Sequence, residues 1–174
     1  MRMYVMSLTC FLALTLTAGC AAARRQPAPR VDAVARAQVA RALDDFHDAA
    51  SNADERRYFA RFAPEGVFLG TDITERWDVA AFRAYARPHF ARGKGWTYRA
   101  TERHVELSPD GTVAWFDELL ANESYGPCRG TGVLRLIDGE WRVAQYNLTI
   151  PIPNELAKDV VRMIRTPTAP GAEK

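Results

Sequence analysis

The sequence predicts an α+β fold: three helices and a small hairpin first, then a long antiparallel meander, then a short C-terminal helix. Three observations predict it. Ala35, Val39, Leu43, Phe46 and Ala50 recur at spacings of four, four, three and four, which puts them on one face of a helix. From Trp96 onward the pattern turns to alternation. Ser108-Pro109-Asp110-Gly111, Gly126-Pro127 and Asp138-Gly139 then cut the second half into strand-length runs.

Each element has its own signal. The first helix is expected over about Ala33 to Ser51. Asn52-Ala53-Asp54-Glu55 resembles a capping box. It opens a second helix with Tyr58, Phe59 and Phe62 on one side, stopped by Pro64-Glu65-Gly66. Val67–Gly70 and Thr74–Trp77 read as a hairpin. Asp78 caps a third helix carrying Phe82, Tyr85, His89 and Phe90, and Pro88 should kink it or end it early. Strands follow over Trp96–Leu107, Thr112–Ser124, Cys128–Ile137 and Trp141–Ile150. Pro151 and Pro153 end the last. Asn154 is placed to cap a final helix with Leu156, Val160, Met163 and Ile164 on one face.

The N-terminus carries an address. Arg2 is the only charge before Cys20, and a mostly apolar run joins them. The run is shorter than the ~18 apolar residues expected of a spanning helix, and has the layout of a secretory signal. It ends in Leu16-Thr17-Ala18-Gly19-Cys20, which resembles a bacterial lipobox. The resemblance implies cleavage before Cys20, acylation (palmitate among the chains) and a membrane anchor. Ala21 is not the Asp that retains such proteins at the inner membrane, so the expected place is the cell envelope and, in a Gram-negative cell, the outer membrane facing the periplasm. Residues 1–19 are then the signal, 20–32 a tether with few large apolar side chains, 33–165 one domain, and 166–174 a disordered Pro/Gly/Ala-rich tail.

Composition excludes several classes. The chain has 23 Lys+Arg against 21 Asp+Glu, so no basic patch points to nucleic acid. Of three cysteines, Cys10 would leave with the signal and Cys20 would be acylated. Cys128 then stands alone, no intrachain disulfide is possible, and the domain relies on its core. Cys128 reads as a buried small apolar residue. Three scattered histidines and one cysteine lack metal-ligand spacing, and no Gly-rich phosphate loop is present. Neither a metal nor another cofactor is expected.

The element order resembles the nuclear-transport-factor-2-like superfamily. Gly70–Trp77, Ala114-Trp115-Phe116-Asp117-Glu118 and Asp138-Gly139-Glu140-Trp141-Arg142-Val143 look like its SnoaL-like branch, over roughly residues 36–155. The resemblance implies a cone: a curved antiparallel sheet of about six strands wrapped around three helices, with a pocket at the wide end. Such a fold hosts isomerases, cyclases, dehydratases and binding proteins, and does not fix a function.

Candidate site residues come from strand alternation. On the last strand Trp141, Val143, Gln145, Asn147 and Thr149 share a face, and Arg142, Ala144, Tyr146 and Leu148 the other. Arg142 suggests that its own set faces out, so Gln145 and Asn147 are expected to face the helices and orient a ligand. On the strand at 112–124, Asp117 lies with Trp115 and Leu119, and Glu118 with Phe116 and Leu120. Asp117 is the candidate general base, with His47 or a tyrosine as partner. The alternative is an ion pair of Asp117 or Glu118 with Arg76, Arg129 or Arg135. Tyr58 and Tyr85 are candidate donors to a ligand oxygen. Thr71, Trp77, Trp96 and Trp115 complete the candidate ligand wall. Three functions stay open: a binder of a small, mostly apolar molecule; an acid–base isomerase, cyclase or dehydratase; and a homodimeric module pairing through a convex face with Ala144, Tyr146 and Leu148.

Overall fold

A computed structural model describes residues 29–166. The expected signal, the expected lipidation site Cys20, most of the expected tether and nearly all of the expected tail lie outside the described residues. The elements, in order, are α1 (Pro29–Ser51), α2 (Glu55–Ala60), β1 (Phe62–Leu69), β2 (Arg76–Asp78), α3 (Val79–Phe90), β3 (Arg99–Leu107), β4 (Val113–Asn122), β5 (Gly126–Ile137), β6 (Glu140–Thr149) and α4 (Ala157–Arg165). The α+β class and the element order are as the sequence predicts.

The six strands form one unclosed sheet in the order β2-β1-β6-β5-β4-β3. It is mixed rather than wholly antiparallel, because β1 runs parallel to β6. The chain leaves β1 through β2, α3 and three further strands before β6 returns beside it, and that long crossover makes the parallel pair possible. Val39, Leu43, Phe46 and Ala50 are all buried on α1. They pack with Phe59, Phe62, Phe82, Phe116, Leu134 and Val143 into the core between the helices and one face of the sheet.

Local chemistry explains the departures from expectation. The cap of α2 is Asp54, which accepts from the Arg57 N–H, while the Asn52 amide donates back to Asp48 O at the end of α1. Pro64 does not end a helix; it lies in an irregularity of β1 that opens between Phe62 and Val67. Helix α3 continues through Pro88 to Phe90, since Pro88 falls in its last turn. Leu156, not Asn154, is the N-cap of α4, and no side chain caps it.

One bulge decides which side chains of β6 face the core. Val133 on β5 pairs with Gln145, but Leu134 pairs with Val143, so Ala144 is an extra residue. The alternation therefore changes phase. Trp141 and Val143 are buried before the bulge, and Tyr146 and Leu148 after it. Gln145 is exposed and Asn147 half-buried on the other face. This overturns the expected inward placement of Gln145 and Asn147, and the expected outward placement of Tyr146 and Leu148. Gly132 lies at this bulge, where a Cβ would sit 2.2 Å from Gln145 O and 2.8 Å from the Phe116 ring. Gly132→Ala is expected to lower stability by about 1–3 kcal/mol, read from the shift of a urea midpoint at constant m.

Candidate functional site

The cavity opens at the end of the sheet where β1 and β6 finish. Its inner wall is aromatic: Phe46 from α1, Tyr58 from α2, Phe68 from β1, Phe82 from α3 and Tyr146 from β6. The volume is about 250 Å³, room for roughly eight waters or one small ring system. Phe68 and Phe82 stack at 4.1 Å, and Trp77 and Tyr85 at 4.9 Å. Trp96 closes over Phe90 and Tyr58. Rings stacked in this way present a flat, apolar wall to a guest.

Beside that cavity lies the one fully buried carboxylate among the described residues. Glu118 is 0% exposed. Its Oε1 lies 2.7 Å from His47 Nε2 and accepts from the Tyr146 hydroxyl at 2.8 Å. Its Oε2 accepts from Arg103 Nε at 2.7 Å. Arg103 also donates through Nη1 to Ala40 O and Asp44 Oδ1. The network thus joins α1, β3, β4 and β6. Gly130 makes space for it: a Cβ there would sit 2.3 Å from the Tyr146 hydroxyl and 2.9 Å from Glu118 Oε1.

Charge states follow from these partners. Burial pushes the Glu118 carboxyl up, but the hydrogen bonds and charges of His47 and Arg103 outweigh it and hold the group below the ordinary carboxylate value. An ionised carboxylate only accepts, so His47 Nε2 carries the proton it shares with Glu118. Burial, then the Glu118 charge, pushes the Tyr146 hydroxyl well up, so Tyr146 remains a donor. Burial also raises Tyr58 well above its usual value. The Tyr58 hydroxyl lies beside the Trp96 indole, yet it is buried without a hydrogen bond of proper geometry. Half-buried Tyr98, across the cavity, is pushed up to about 12.

The structure brings some of the expected site residues together and separates others. His47, Tyr58, Thr71, Trp77, Tyr85 and Trp96 all line the cavity. Asp117, Trp115, Gln145 and Asn147 do not. Asp117 is exposed on the outer face, opposite His104 and Thr131 in register. Trp115, on the same face, is 48% exposed. The buried acid is Glu118, and its arginine is Arg103 rather than Arg76, Arg129 or Arg135. Sequence reasoning missed Arg103 and Tyr146, and offered Glu118 only as an ion-pair partner of other arginines. The signal was Gly130 and Gly132, whose register partners on β4 are Glu118 and Phe116: small residues face that strand's inward side. Cys128 is buried and free, and burial raises its thiol. Among the described residues no three His, Cys, Asp or Glu side chains gather as a metal site.

The SnoaL-like domain model matches residues 39–153. This chain belongs to the SnoaL-like family. Among solved structures it is similar to an NTF2-like protein of unknown function from Pseudomonas putida KT2440, with a TM-score of 0.60 and 15% identity over 71% of this chain and 91% of that one. It is also similar to a candidate dehydratase of the NTF2-like family from Streptomyces avermitilis, with a TM-score of 0.58 and 12% identity over 70% and 99% of the two chains. A candidate scytalone dehydratase from Novosphingobium aromaticivorans gives a TM-score of 0.60 at 10% identity, over 71% and 88%. At these identities the likeness establishes the NTF2-like fold alone. No curated protein matches this SnoaL-like chain in sequence.

Two adjacent acids should behave oppositely. Glu118→Gln leaves Arg103 without its buried anion and is expected to cost about 3 kcal/mol or more. Asp117→Asn should change stability by no more than ~0.5 kcal/mol. Equal losses in chemical denaturation would contradict the burial described. Because the folded Glu118 value is depressed, its contribution is present above the unfolded carboxylate value and is lost as pH falls through the folded one. Wild-type stability should therefore fall on acidification below about pH 5. The same titration on Glu118→Gln should be flatter.

Proposed function

We propose that this chain is an envelope-anchored lipoprotein whose SnoaL-like cone binds a small, planar, mostly apolar molecule bearing one hydrogen-bond acceptor. The observation that carries the reading is the unpartnered Tyr58 hydroxyl, buried in a cavity walled by stacked aromatic rings. A buried hydroxyl without a partner costs about 1–3 kcal/mol. A ligand carbonyl or ether oxygen would satisfy it, while its ring system packs against the aromatic wall of Phe68, Phe82 and Trp77. The lipobox-like Leu16–Cys20 supports the anchor, and Ala21 supports the outer membrane, facing the periplasm. The outer sheet face, with Trp115 and Leu119 both partly exposed, supports pairing with a second copy.

One observation favours a second reading, acid–base chemistry centred on His47. Glu118 holds the Nε2 proton, which leaves Nδ1 as the ring's acceptor in the neutral form. A carboxylate-oriented imidazole on a cavity wall is the arrangement a general base requires. Here the orienting carboxylate is Glu118, since Asp117 faces solvent on the far side of the sheet. Two of the similar structures carry dehydratase names, which supports this reading by analogy only.

The binding reading is tested with tetralone and its oxygen-free analogue tetralin, followed by quenching of Trp77 and Trp96. Tetralone should bind about tenfold more tightly, the worth of one hydrogen bond, and Tyr58→Phe should erase the difference. A difference that survives Tyr58→Phe removes Tyr58 from the site, and absence of binding by either probe counts against this ligand class. Deuterium exchange at the acidic C–H of bound tetralone separates the readings. A binder leaves it at the solution rate; a His47 base accelerates it, and His47→Gln abolishes the gain. For the anchor, metabolic labelling with palmitate should tag the wild-type protein and not Cys20→Ala. Equal labelling would remove Cys20 as the acylated residue.

A further inference from the structure

The rim of the cavity is apolar in a way that neither the core nor the ligand wall requires. Four separate segments meet there. Ile73, in the turn between β1 and β2, is 100% exposed. Tyr85 on α3 and Tyr125 in the turn between β4 and β5 line the cavity, yet both are about half exposed. After Leu148, also a lining residue, the chain continues through exposed Ile150, Ile152 and Leu156 into α4.

Helix α4 follows that rim in the chain, beginning nine residues after Leu148. None of its residues is buried. Over Ala157–Arg165 the helical period segregates it cleanly: Ala157, Val160, Val161, Met163 and Ile164 fall on one side, and Lys158, Asp159, Arg162 and Arg165 on the other. Asp159 is paired with Arg162. Lys158 and Arg165 fall on one border of the apolar arc, where long cationic side chains can reach outward past buried carbons. The same segments also carry acids, exposed Asp72, Glu123 and Glu155 and half-buried Glu75; Asp72 accepts from the Thr74 backbone and hydroxyl, and Glu75 accepts from the Asp72 N–H. No helix among the described residues is long and apolar enough to cross a membrane. A short amphipathic helix with cations along its border is built to lie in an interface instead.

We infer that the mouth of the cone and α4 together form a lipid-docking surface, with the apolar face of α4 and Ile73 in the acyl boundary and Lys158 and Arg165 at anionic headgroups. Tyr85 and Tyr125 then lie at headgroup depth, where tyrosine is favoured. The cavity opens toward the bilayer, so a ligand dissolved in lipid enters without crossing water. This surface is independent of the acyl anchor and of whether the cavity is filled. It is also compatible with the anchor. Helix α1 pairs with β3 through Arg36 and Glu106 near its start and reaches the cavity at Ala50 near its end, so its first residue lies away from the mouth. Residues 20–28, at full stretch, span ~30 Å, about the length of α1.

The test uses the chain begun at Ala21, which keeps every described element and lacks the acylated cysteine. It is floated with vesicles of phosphatidylethanolamine and phosphatidylglycerol. The wild-type chain is expected to float with the vesicles. Ile73→Glu and Ile164→Glu, both at exposed positions and so expected to fold normally, should each weaken binding by about tenfold or more. Their thermal midpoints serve as the check on folding. Binding should also fall on vesicles of phosphatidylcholine alone; equal binding there would overturn the roles of Lys158 and Arg165. Failure of the wild-type chain to float would overturn the proposal. So would a variant that converts a dimer to a monomer without altering flotation, since a second copy would then be what covers α4.

Discussion

The clasp around Glu118 is the constraint on which the rest depends. A carboxylate with no exposed surface is tolerable only if its charge is met, and three donors from three elements meet it. His47 holds it from α1, Arg103 from β3 and Tyr146 from β6. These directional contacts add to the apolar packing of α1 in fixing the helix against the sheet. The same contact fixes the His47 ring at the cavity wall. Stability and site geometry come from one group.

That group also explains where glycine appears. Gly130 leaves the slot that the Tyr146 hydroxyl and the Glu118 carboxylate fill, and Gly132 lets the Phe116 ring and the bulged strand approach. Both lie in mid-strand, where glycine weakens a sheet by its own propensity. The clasp and the bulge are what the sheet gains in return. Outside it, Asp45 and Asp48 on α1 bind Arg57 and Arg61, which tie α2 to the same helix and set Tyr58 over the cavity.

Much of the fold was legible in the sequence. The buried residues of α1, the Asp78 cap and the turns at Ser108–Gly111 and Asp138-Gly139 carry local signals that tertiary structure did not override. The parallel pairing of β1 with β6 was not legible, because it depends on contacts far apart in the chain. The candidate site was half legible. Aromatic residues placed by helical period, such as Tyr58 and Tyr85, fell on the cavity. Residues placed by strand alternation did not, because Ala144 shifts the phase of β6 by one and a bulge leaves no mark in a run of alternating residues. On β4 the two adjacent acids differ only in parity, and the apolar neighbours of each are equally bulky; only the glycines on the facing strand separate them.

The most direct measurement of the central claim is a long-range proton–nitrogen correlation spectrum of the His47 imidazole at neutral pH. If Glu118 is an ionised acceptor clasped by three donors, Nε2 of His47 carries a proton, and Glu118→Gln perturbs that signal while Asp117→Asn does not. An unprotonated Nε2, with the proton on Nδ1 alone, would mean that Glu118 does not accept from His47, and would contradict the account.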